Sequence, residues 1–539
     1  MALDTIYFDS YAAIGKRAGK DRLAPWKTDT LLQEMERCAI HGALIYAHVA
    51  AETHPDVGNP IVTELCRKHD RLHPCWVGLP HHTGEFPSPD KLVAQMEAAG
   101  VRALKLYPRV FQFPVDDLSL GPLLGTLEEA GILLIIDRGQ EGHPNVQISW
   151  PELRWVAETY PRLNILLHGV RWEATRELTP LAQHCANIHF EFSSYQGNRM
   201  LEYWCRKIGA ERLLFGTEAL EKSLGAARAY VDYSELTTAQ RDAIAGGNLA
   251  RLLRVEPPAP YEAPRADDAI LARALEGQPI DDMVVIDAHA HFTYRGSQGA
   301  TRVFMNGADI EAVVERNARL GVDITCASPW TGIWTDYELG NADSIEALRL
   351  APKAFIAYAT FDPHYVEDWE KELRFCYEEH RMMGIKPYHP RQGLPYNHEA
   401  YRPWWEYGNA HHLFAKMHPS DHFVEEMHDL ATRYPNVNFL LAHSGWSWKH
   451  CREHVELARQ YPNCFCEITF TSVTNGTIEW MCEQVGSERV IYGSDTPMRD
   501  PAPQFGWVVY ADISEDAKRN ILGRNMERII AEVRLPEKA

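Results

Sequence analysis

The sequence predicts an α/β fold made of two tandem (β/α)8 barrels, the first of them degenerate. Three observations predict it. The chain has 539 residues, which is enough for two or more domains. A set of sequence landmarks occurs twice in the same order, and short apolar runs alternate with longer amphipathic stretches. Together these features indicate two copies of one strand and helix unit.

Composition excludes several classes of protein. Hydrophobic residues make up 45% and charged residues 24% of the chain, as in ordinary globular proteins. The formal net charge is −20, and a surface this acidic repels phosphate backbones and anionic lipid. The apolar runs, such as 132–136, are much shorter than the roughly 20 residues that cross a bilayer. We therefore expect a small-molecule substrate, with no nucleic-acid or membrane partner.

The cysteines and the first residues predict the compartment. The eleven cysteines are scattered and include no CxxC pair, so we expect reduced thiols that pack as small hydrophobic side chains. The first residues, MALDT, have neither a basic region nor an apolar region of the kind found in a signal peptide. Both observations predict a cytoplasmic protein.

The internal duplication sets the domain count. Six landmarks recur in the same order at offsets of 274 to 282 residues, and one residue is inserted in the second copy of the fourth. They pair 4–13 with 282–291, 58–59 with 340–341, 101–109 with 385–391, 160–168 with 434–443, 211–218 with 488–495, and 247–251 with 524–528. The third pair places Lys105 opposite Lys386. We conclude that the chain is a tandem duplication.

A proline-rich segment separates the two copies. Residues 256–264 read EPPAPYEAP, a composition that continues neither a helix nor a central strand. We therefore predict a first domain over 1–255, a linker over 256–277 and a second domain over 278–539. Each domain then has close to the ~250 residues of a (β/α)8 barrel.

Alternating elements favour a barrel over a doubly wound open sheet. Predicted strands over 284–286, 323–327, 355–359, 439–442 and 490–492 alternate with amphipathic helices such as 424–434 and 515–532. Polar residues follow directly after the apolar strand runs. In a barrel the ends of the strands form the catalytic rim, so this placement favours the barrel.

Four histidines and an aspartate of the second copy lie at predicted strand ends. His289 and His291 follow one strand and, being two residues apart, point to the same side of it. His418, His443 and Asp495 each end a further apolar run. Imidazole and carboxylate groups of this number suit a zinc-type site. The alternative is a set of separately satisfied core polar groups.

These residues resemble the amidohydrolase superfamily. The likeness rests on His289-x-His291, the strand-end His418, His443, Gly493-Ser494-Asp495 and the closing Leu522-Gly523-x-Asn525. The most similar branch is the amidohydrolase-related family that includes aminocarboxymuconate-semialdehyde decarboxylase. The resemblance implies that His289, His291, His418 and Asp495 bind one divalent metal. It also implies that His443 orients or polarises the substrate and that Asp495 carries a proton.

The chemistry agrees with that resemblance. A bound cation lowers the pKa of water to about 7, and a neighbouring carboxylate can take the proton and return it to a leaving group. Zn²⁺ suits an imidazole-rich set better than Mg²⁺. Lys386 has two interpretations, since some superfamily members carboxylate a lysine there to bridge two metals. Because the first copy keeps Lys105, an anion-binding or structural lysine is favoured.

The first copy lacks most of these ligands. Tyr11 and Ala13 align with the two strand histidines, Asp137 aligns with His418, and Glu218 aligns with Asp495. Only His168 is retained, opposite His443. We therefore expect a first barrel without a catalytic metal, although Asp9, Lys105, Asp137, His168 and Glu218 could form a metal-free pocket.

The sequence leaves three functions open. The favoured function is a metal-dependent hydrolase that acts on an amide, lactone or ester in the second barrel. A non-oxidative decarboxylase on the same metal site is the first alternative. The second is a non-catalytic binding protein stabilised by metal. Homodimers are common in the resembled branch, so the fusion also predicts an intramolecular pseudo-dimer of the two barrels. The tryptophans Trp330, Trp334, Trp446 and Trp448 are expected either to line a pocket or to pack between strands and helices.

Overall fold

The computed structural model describes residues 5–18, 20–138, 147–260, 268–294, 303–469 and 473–537. The chain forms two compact units: residues 1–196 with 200–265, and residues 266–539 with 197–199. Part of the predicted linker, residues 261–267, lies outside the described residues. The exact domain boundaries stay a prediction.

The first unit is an eight-stranded parallel sheet whose strands are hydrogen-bonded in chain order. Its strands are β1 (Phe8–Ile14), β2 (Gly42–Ala47), β3 (Leu72–Gly78), β4 (Ala103–Leu106), β5 (Leu133–Asp137), β6 (Ile165–His168), β7 (Ile188–Glu191) and β8 (Leu213–Leu214). Its α-helices are Thr28–Arg37, His48–Glu52, Pro55–Cys66, Pro89–Ala99, Asp117–Ala130, Trp150–Thr159, Thr175–His184, Met200–Ile208, Leu224–Asp232, Thr238–Asp242 and Asn248–Leu253. A helix in each connection lets every strand run parallel to its neighbour.

The second unit repeats this order. Its strands are β9 (Val285–Phe292), β10 (Val322–Pro329), β11 (Phe355–Ala359), β12 (Gly384–Ile385), β13 (Phe414–Met417), β14 (Asn438–Leu441), β15 (Cys464–Glu467) and β16 (Val490–Ile491). Its α-helices are Ala269–Leu275, Ile310–Ala318, Trp330–Trp334, Tyr337–Leu350, Trp369–Leu373, His389–Gln392, Arg402–Ala410, Phe423–Arg433, Trp448–Gln460, Thr477–Val485, Pro501–Val509, Glu515–Arg519 and Asn525–Glu532.

Backbone hydrogen bonds join the last strand region of each unit to its first strand. In the first unit the amide of Ser10 donates to the carbonyl of Phe215 over 2.9 Å. In the second unit the amide of Ala288 donates to the carbonyl of Tyr492 over 3.0 Å. The predicted fold class, two tandem (β/α)8 barrels of the TIM type, is confirmed.

The core of the second unit lies between the strands and the surrounding helices. Alternate strand residues such as Phe439 and Leu441 pack outward against the buried rings of Trp404 and Trp405. The opposite strand faces, including Phe414 and Leu440, belong to a second buried cluster. This alternation holds the strand ends in fixed positions, and those ends carry the polar residues of interest.

The predicted helix over 515–532 differs from the observed structure. Two α-helical segments are separated by a π-helical turn over Asn520–Arg524. At Gly523 a Cβ atom would lie only 1.9 Å from the carbonyl oxygen of Val284, so the extra turn allows the helix to touch β9. The first unit has the same device over Ala243–Gly247, where Gly246 approaches Ile6.

Strand register gives the correspondence between the barrels. Asp9 accepts hydrogen bonds from the backbone and side chain of Thr217, as Asp287 does from Ser494. Counting from these pairs and from the paired strands gives the equivalent positions Tyr11 and His289, Ala13 and His291, Lys105 and Lys386, Asp137 and His418, and Glu218 and Asp495.

One correspondence predicted from the sequence is wrong by one residue. His168 pairs with Asp137, whereas the equivalent neighbour of His418 is Ala442. No residue is inserted before this point, so the position of His443 is taken in the first barrel by the glycine that follows His168. Both positions have a left-handed backbone, with φ of 68° at the glycine and 66° at His443.

Within the described residues, no helix combines the length and the apolar character that crossing a bilayer requires.

Candidate metal centre of the second barrel

Three of the predicted ligands meet at one end of the second barrel. His289 and His291 lie in β9, and Asp495 follows β16, which is hydrogen-bonded back to β9. Their side chains are 1%, 5% and 3% exposed. Their ligand atoms lie within 4.8 Å of one another. Among the described residues, this is the one cluster of three or more His, Cys, Asp or Glu side chains that meets that spacing.

The spacing of these atoms fits a single ion. Oδ1 of Asp495 lies 3.6 Å from Nε2 of His289 and 3.3 Å from Nε2 of His291. Ligands about 2.0–2.1 Å from a tetrahedral zinc ion are separated from one another by about 3.3 Å. The donor set and its spacing therefore fit a small divalent cation.

The other ring nitrogen of each strand histidine is already bound. Nδ1 of His289 lies 2.8 Å from Oε2 of Glu467, and Nδ1 of His291 lies 2.9 Å from Oγ of Ser328. A carboxylate at Nδ1 fixes the tautomer that leaves Nε2 with a lone pair. Burial raises the pKa of Glu467 to about 8, so its ionised form gains from a nearby positive charge.

His418 and His443 lie beside this group. Nδ1 of His418 donates to the carbonyl of Pro419 over 2.9 Å, and Nδ1 of His443 donates to that of Thr469 over 2.8 Å. The His443 ring centroid lies 5.2 Å from that of His289 and 5.0 Å from that of His418. His418 is outside the group of three, so its role as the fourth ligand stays a prediction.

Asp495 is held in its ionised form. Burial alone would raise its pKa, but the contacting guanidinium of Arg499 and the neighbouring His291 hold the pKa well below its usual value. Asp495 also has a left-handed φ of 64°, a conformation that aspartate tolerates better than most residues. This backbone turns the carboxylate back toward the end of β9.

Two buried lysines accompany the cluster. Nζ of Lys416 donates to the carbonyl of Ala290 over 3.0 Å, and burial lowers its pKa to about 8. Nζ of Lys386 has no hydrogen-bond partner among the described residues and lies 5.4 Å from the ring of Tyr388. Burial and the nearby Lys416 lower the pKa of Lys386 well below its usual value. A buried amine without a partner is ready to receive an oxygen of a ligand.

Aromatic rings form a wall beside the histidines. The ring of Trp330 lies 5.7 Å from that of His291 and stacks on Trp334 at 5.0 Å. The ring of Tyr388 lies 5.1 Å from that of His418. Of the four predicted tryptophans, these two adjoin the site. By contrast, Trp446 stacks on His450 and Trp448 packs against Trp480.

The equivalent place in the first barrel is filled by an ion pair. Nζ of Lys105 lies 3.1 Å from Oδ2 of Asp137 and 3.2 Å from Nδ1 of His168. The ammonium also lies 4.1, 4.5 and 4.8 Å from the ring centroids of Tyr11, Tyr46 and Tyr107. Burial opposes this charge, but Tyr46 and Asp137 raise the pKa of Lys105. Glu218 forms an ion pair with Lys222 over 2.7 Å.

Several site residues were missed by the sequence analysis. Glu467 ends β15, so the rule that found His443 and Asp495, a polar residue closing an apolar run, would also have found it. Arg499 lies four residues after Asp495 and has no comparable signal. Ser328 and Lys416 lie within ordinary strand sequence, and their contacts appear only in three dimensions.

A family model described as Amidohydrolase matches residues 28–255 and 286–530. The chain therefore belongs to this amidohydrolase family, with one match in each half, as the sequence resemblance predicts. No curated protein matches the chain.

Three of the solved structures that are similar to part of this chain match it to the following extent. An uncharacterized TIM-barrel protein from Bordetella bronchiseptica is 19% identical, with 46% of this chain and 98% of its own covered and a TM-score of 0.36. The 5-carboxyvanillate decarboxylase from Novosphingobium aromaticivorans, complexed with manganese, is 14% identical, with coverages of 47% and 98% and a TM-score of 0.37. A probable 2-pyrone-4,6-dicarboxylic acid hydrolase from Acinetobacter baumannii is 12% identical, with coverages of 46% and 100% and a TM-score of 0.36.

Proposed function

We propose that the second barrel is a metal-dependent hydrolase that acts on a small carbonyl compound, namely an amide, a lactone or an ester. The observation that carries the proposal is the buried group of His289, His291 and Asp495, with each histidine bound at Nδ1 and directed by Nε2 toward one carboxylate oxygen. Membership of the amidohydrolase family supports the same class.

In this proposal one divalent cation, Zn²⁺, is held by His289, His291 and Asp495, with His418 as the fourth ligand. The imidazole-rich donor set favours Zn²⁺ over Mg²⁺. When bound, the cation supplies Lewis acidity, which polarises a carbonyl oxygen and makes water a stronger acid.

In this proposal Asp495 transfers the proton and His443 orients the water or the substrate. Arg499 keeps Asp495 ionised, so its carboxylate is available to take a proton from water and deliver it to the leaving group. His443 donates from Nδ1 to a carbonyl, so its neutral ring has a lone pair at Nε2. We therefore assign His443 to orienting the attacking water or the substrate as a hydrogen-bond acceptor, rather than to polarising a carbonyl.

Lys386 supports a second candidate reaction, non-oxidative decarboxylation. Its buried amine has no hydrogen-bond partner among the described side chains and lies near Tyr388. A substrate carboxylate would supply the missing partner. In the hydrolase the same amine binds the substrate carbonyl oxygen, so Lys386 serves as a substrate-binding residue in both reactions.

We propose that the first barrel is a catalytically silent partner. The ion pair between Lys105 and Asp137 supports this assignment, because the ammonium group of Lys105 already occupies the place where a metal ion would need ligands. The barrel would persist as half of an intramolecular pseudo-dimer.

The eleven cysteines, all free thiols, support a reducing compartment, which we take to be the cytoplasm.

The test compares turnover of amide, lactone and ester panels by metal-free and Zn²⁺-loaded protein. We expect turnover only with metal. Asp495→Asn should lower it by about 10²-fold or more, because an amide can still bind a cation but cannot shuttle a proton. Glu218→Gln, at the equivalent position of the first barrel, is the matched control and should turn over normally.

The remaining outcomes separate the alternatives. Release of CO₂ from a carboxylate panel identifies the decarboxylase, whereas incorporation of ¹⁸O from labelled water identifies the hydrolase. A protein that binds about one zinc per chain without turnover is the non-catalytic binding protein. Elemental analysis checks the site itself: His289→Ala should lose the metal, and Tyr11→Phe, its first-barrel counterpart, should retain it.

A further inference from the structure

A cavity of about 210 Å³ opens at the mouth of the first barrel. Its walls come from the segment that follows β1, from His48 after β2, and from the turn that follows β8. The lining residues are Ala13, Gly15, Lys16, Arg17, Lys20, Asp21, Arg22, Ala24, Pro25, Trp26, His48, Leu220 and Glu221. These strand ends are the face on which barrel proteins bind ligands.

The cavity adjoins the place in the first barrel that corresponds to the metal centre of the second barrel, and that place is itself filled by the ion pair of Lys105 and Asp137. Ala13 occupies the position of His291, and His48 occupies that of Trp330. The change from imidazole to methyl at Ala13 removes a ring from this wall. The first barrel has therefore lost its metal ligands but has kept an open mouth.

The lining is basic although the whole chain has a net charge of −20. Arg17 is engaged, since its guanidinium lies 3.1 Å from Glu52 and 3.5 Å from Glu221. Lys20 forms an ion pair with the same Glu221. These three ion pairs neutralise part of the positive charge at the rim.

Lys16 and Arg22 supply the remaining positive charge of the cavity rim. In the part of the chain that the structure describes, neither forms an ion pair with a carboxylate, and both are exposed at the rim. Burial and the neighbouring Arg17 lower the pKa of His48 to about 3, so the floor beneath them is uncharged. An anion that enters therefore meets these two cations, together with the carboxylate of Asp21, above a neutral floor.

Trp26 adds a flat apolar surface to the cavity. The residue is 41% exposed, and Nζ of Lys16 lies 5.2 Å from the ring centroid. A cavity of about 150 Å³ in another protein holds benzene, so this one has room for a six-membered ring with its carboxylates.

We propose that the mouth of the first barrel is a second, metal-independent binding site for a small planar carboxylate, held by Lys16 and Arg22 against Trp26. The site is separate from the metal centre, so it stands whether or not the proposed hydrolase activity is found. It also gives the catalytically silent barrel a ligand of its own.

Isothermal titration of the full chain with isophthalate, a planar dicarboxylate, tests the proposal. We expect saturable binding that weakens with added salt. The double variant Lys16→Gln/Arg22→Gln should lose at least about tenfold in affinity, because two charge-assisted hydrogen bonds are removed. Lys27→Gln is the matched control, since that lysine lies 5.8 Å from the ring of Trp26 but does not line the cavity.

A second control shows which barrel produces the heat of isophthalate binding. Lys386→Met removes the amine that we assign to substrate binding in the second barrel, so the isophthalate binding that the double variant loses should persist in this variant. The melting temperature of each variant is measured to show that it is folded. The proposal is overturned if wild-type protein shows no saturable binding at millimolar isophthalate, if the double variant binds as the wild type does, or if Lys386→Met abolishes binding.

Discussion

Glu467 offers the sharpest test of the metal centre, because both of its oxygens have defined partners. Oε2 lies 2.8 Å from Nδ1 of His289. Oε1 accepts from the backbone amide of Thr469 over 2.8 Å and also from its hydroxyl. The side chain is fully buried, so no water can replace a lost partner. Both oxygens face hydrogen-bond donors, so the side chain at this position must offer an acceptor both to His289 and to Thr469.

Glu467→Gln cannot satisfy both sides. If the amide oxygen faces Thr469, the NH2 group faces Nδ1 of His289, and the proton must move to Nε2, where it blocks a metal. If the oxygen faces His289, the NH2 group opposes the two donors of Thr469, at a cost of about 1–3 kcal/mol for the unsatisfied group. Since about 1.4 kcal/mol is tenfold in an equilibrium constant, we expect zinc affinity to fall by roughly 10–100-fold, the usual scale for the loss of such a partner.

The assay is a competition titration of zinc against a chromophoric chelator, with wild-type and variant protein at the same pH. Glu191→Gln is the matched control, because Glu191 is the equivalent buried carboxylate that ends β7 and has no histidine at its oxygens among the described contacts. It should leave zinc affinity unchanged. A Glu467→Gln affinity within twofold of the wild type would show that Nε2 of His289 does not bind the metal.

Two further predictions concern the first barrel. Lys105→Met leaves the buried carboxylate of Asp137 without its cation and should lower the free energy of unfolding by about 3–5 kcal/mol in urea titrations; adding Asp137→Leu should recover most of it, and an unchanged single variant would contradict the ion pair. Burial lowers the pKa of His189 to about 3, against about 6.5 in the unfolded chain. As pH falls, the unfolded state therefore binds a proton on this ring before the folded state does. The neutral ring's full contribution to the free energy of unfolding is present above about pH 6.5 and is lost as pH falls toward 3. In urea titrations between about pH 6 and pH 4, His189→Gln should flatten the pH dependence of the unfolding free energy by about 1.4 kcal/mol per pH unit, whereas an unchanged slope would place the protonation elsewhere.

The fold was predictable because its signals are local and repeated. The strands are mostly short apolar runs, several of them are closed by a polar residue, and six landmarks occur in both copies. The same rule found His289, His291 and Asp495, which the structure brings together. The rule also found His418 and His443, which carry the same signal but lie outside the group of three.

The limits of the sequence reasoning have physical causes. His168 and His443 looked equivalent because both are strand-end histidines, but a register is defined by hydrogen bonds between strands, and a shift of one residue turns a side chain to the other face. The helix over 515–532 is interrupted because Gly523 must approach β9. Arg499 acts only through its contact with Asp495, which no spacing rule anticipates.

The pairing of Lys105 with Asp137 has a consequence for the history of the two halves. Lysine occupies the same strand position in both barrels, so it was present before the copies diverged. With aspartate at the position of His418, the lysine of the first barrel has a buried carboxylate partner, whereas Lys386 has no hydrogen-bond partner among the described residues. Replacing Tyr11 and Ala13 with histidine would therefore not recover a metal, because an incoming ion must compete with a built-in ammonium.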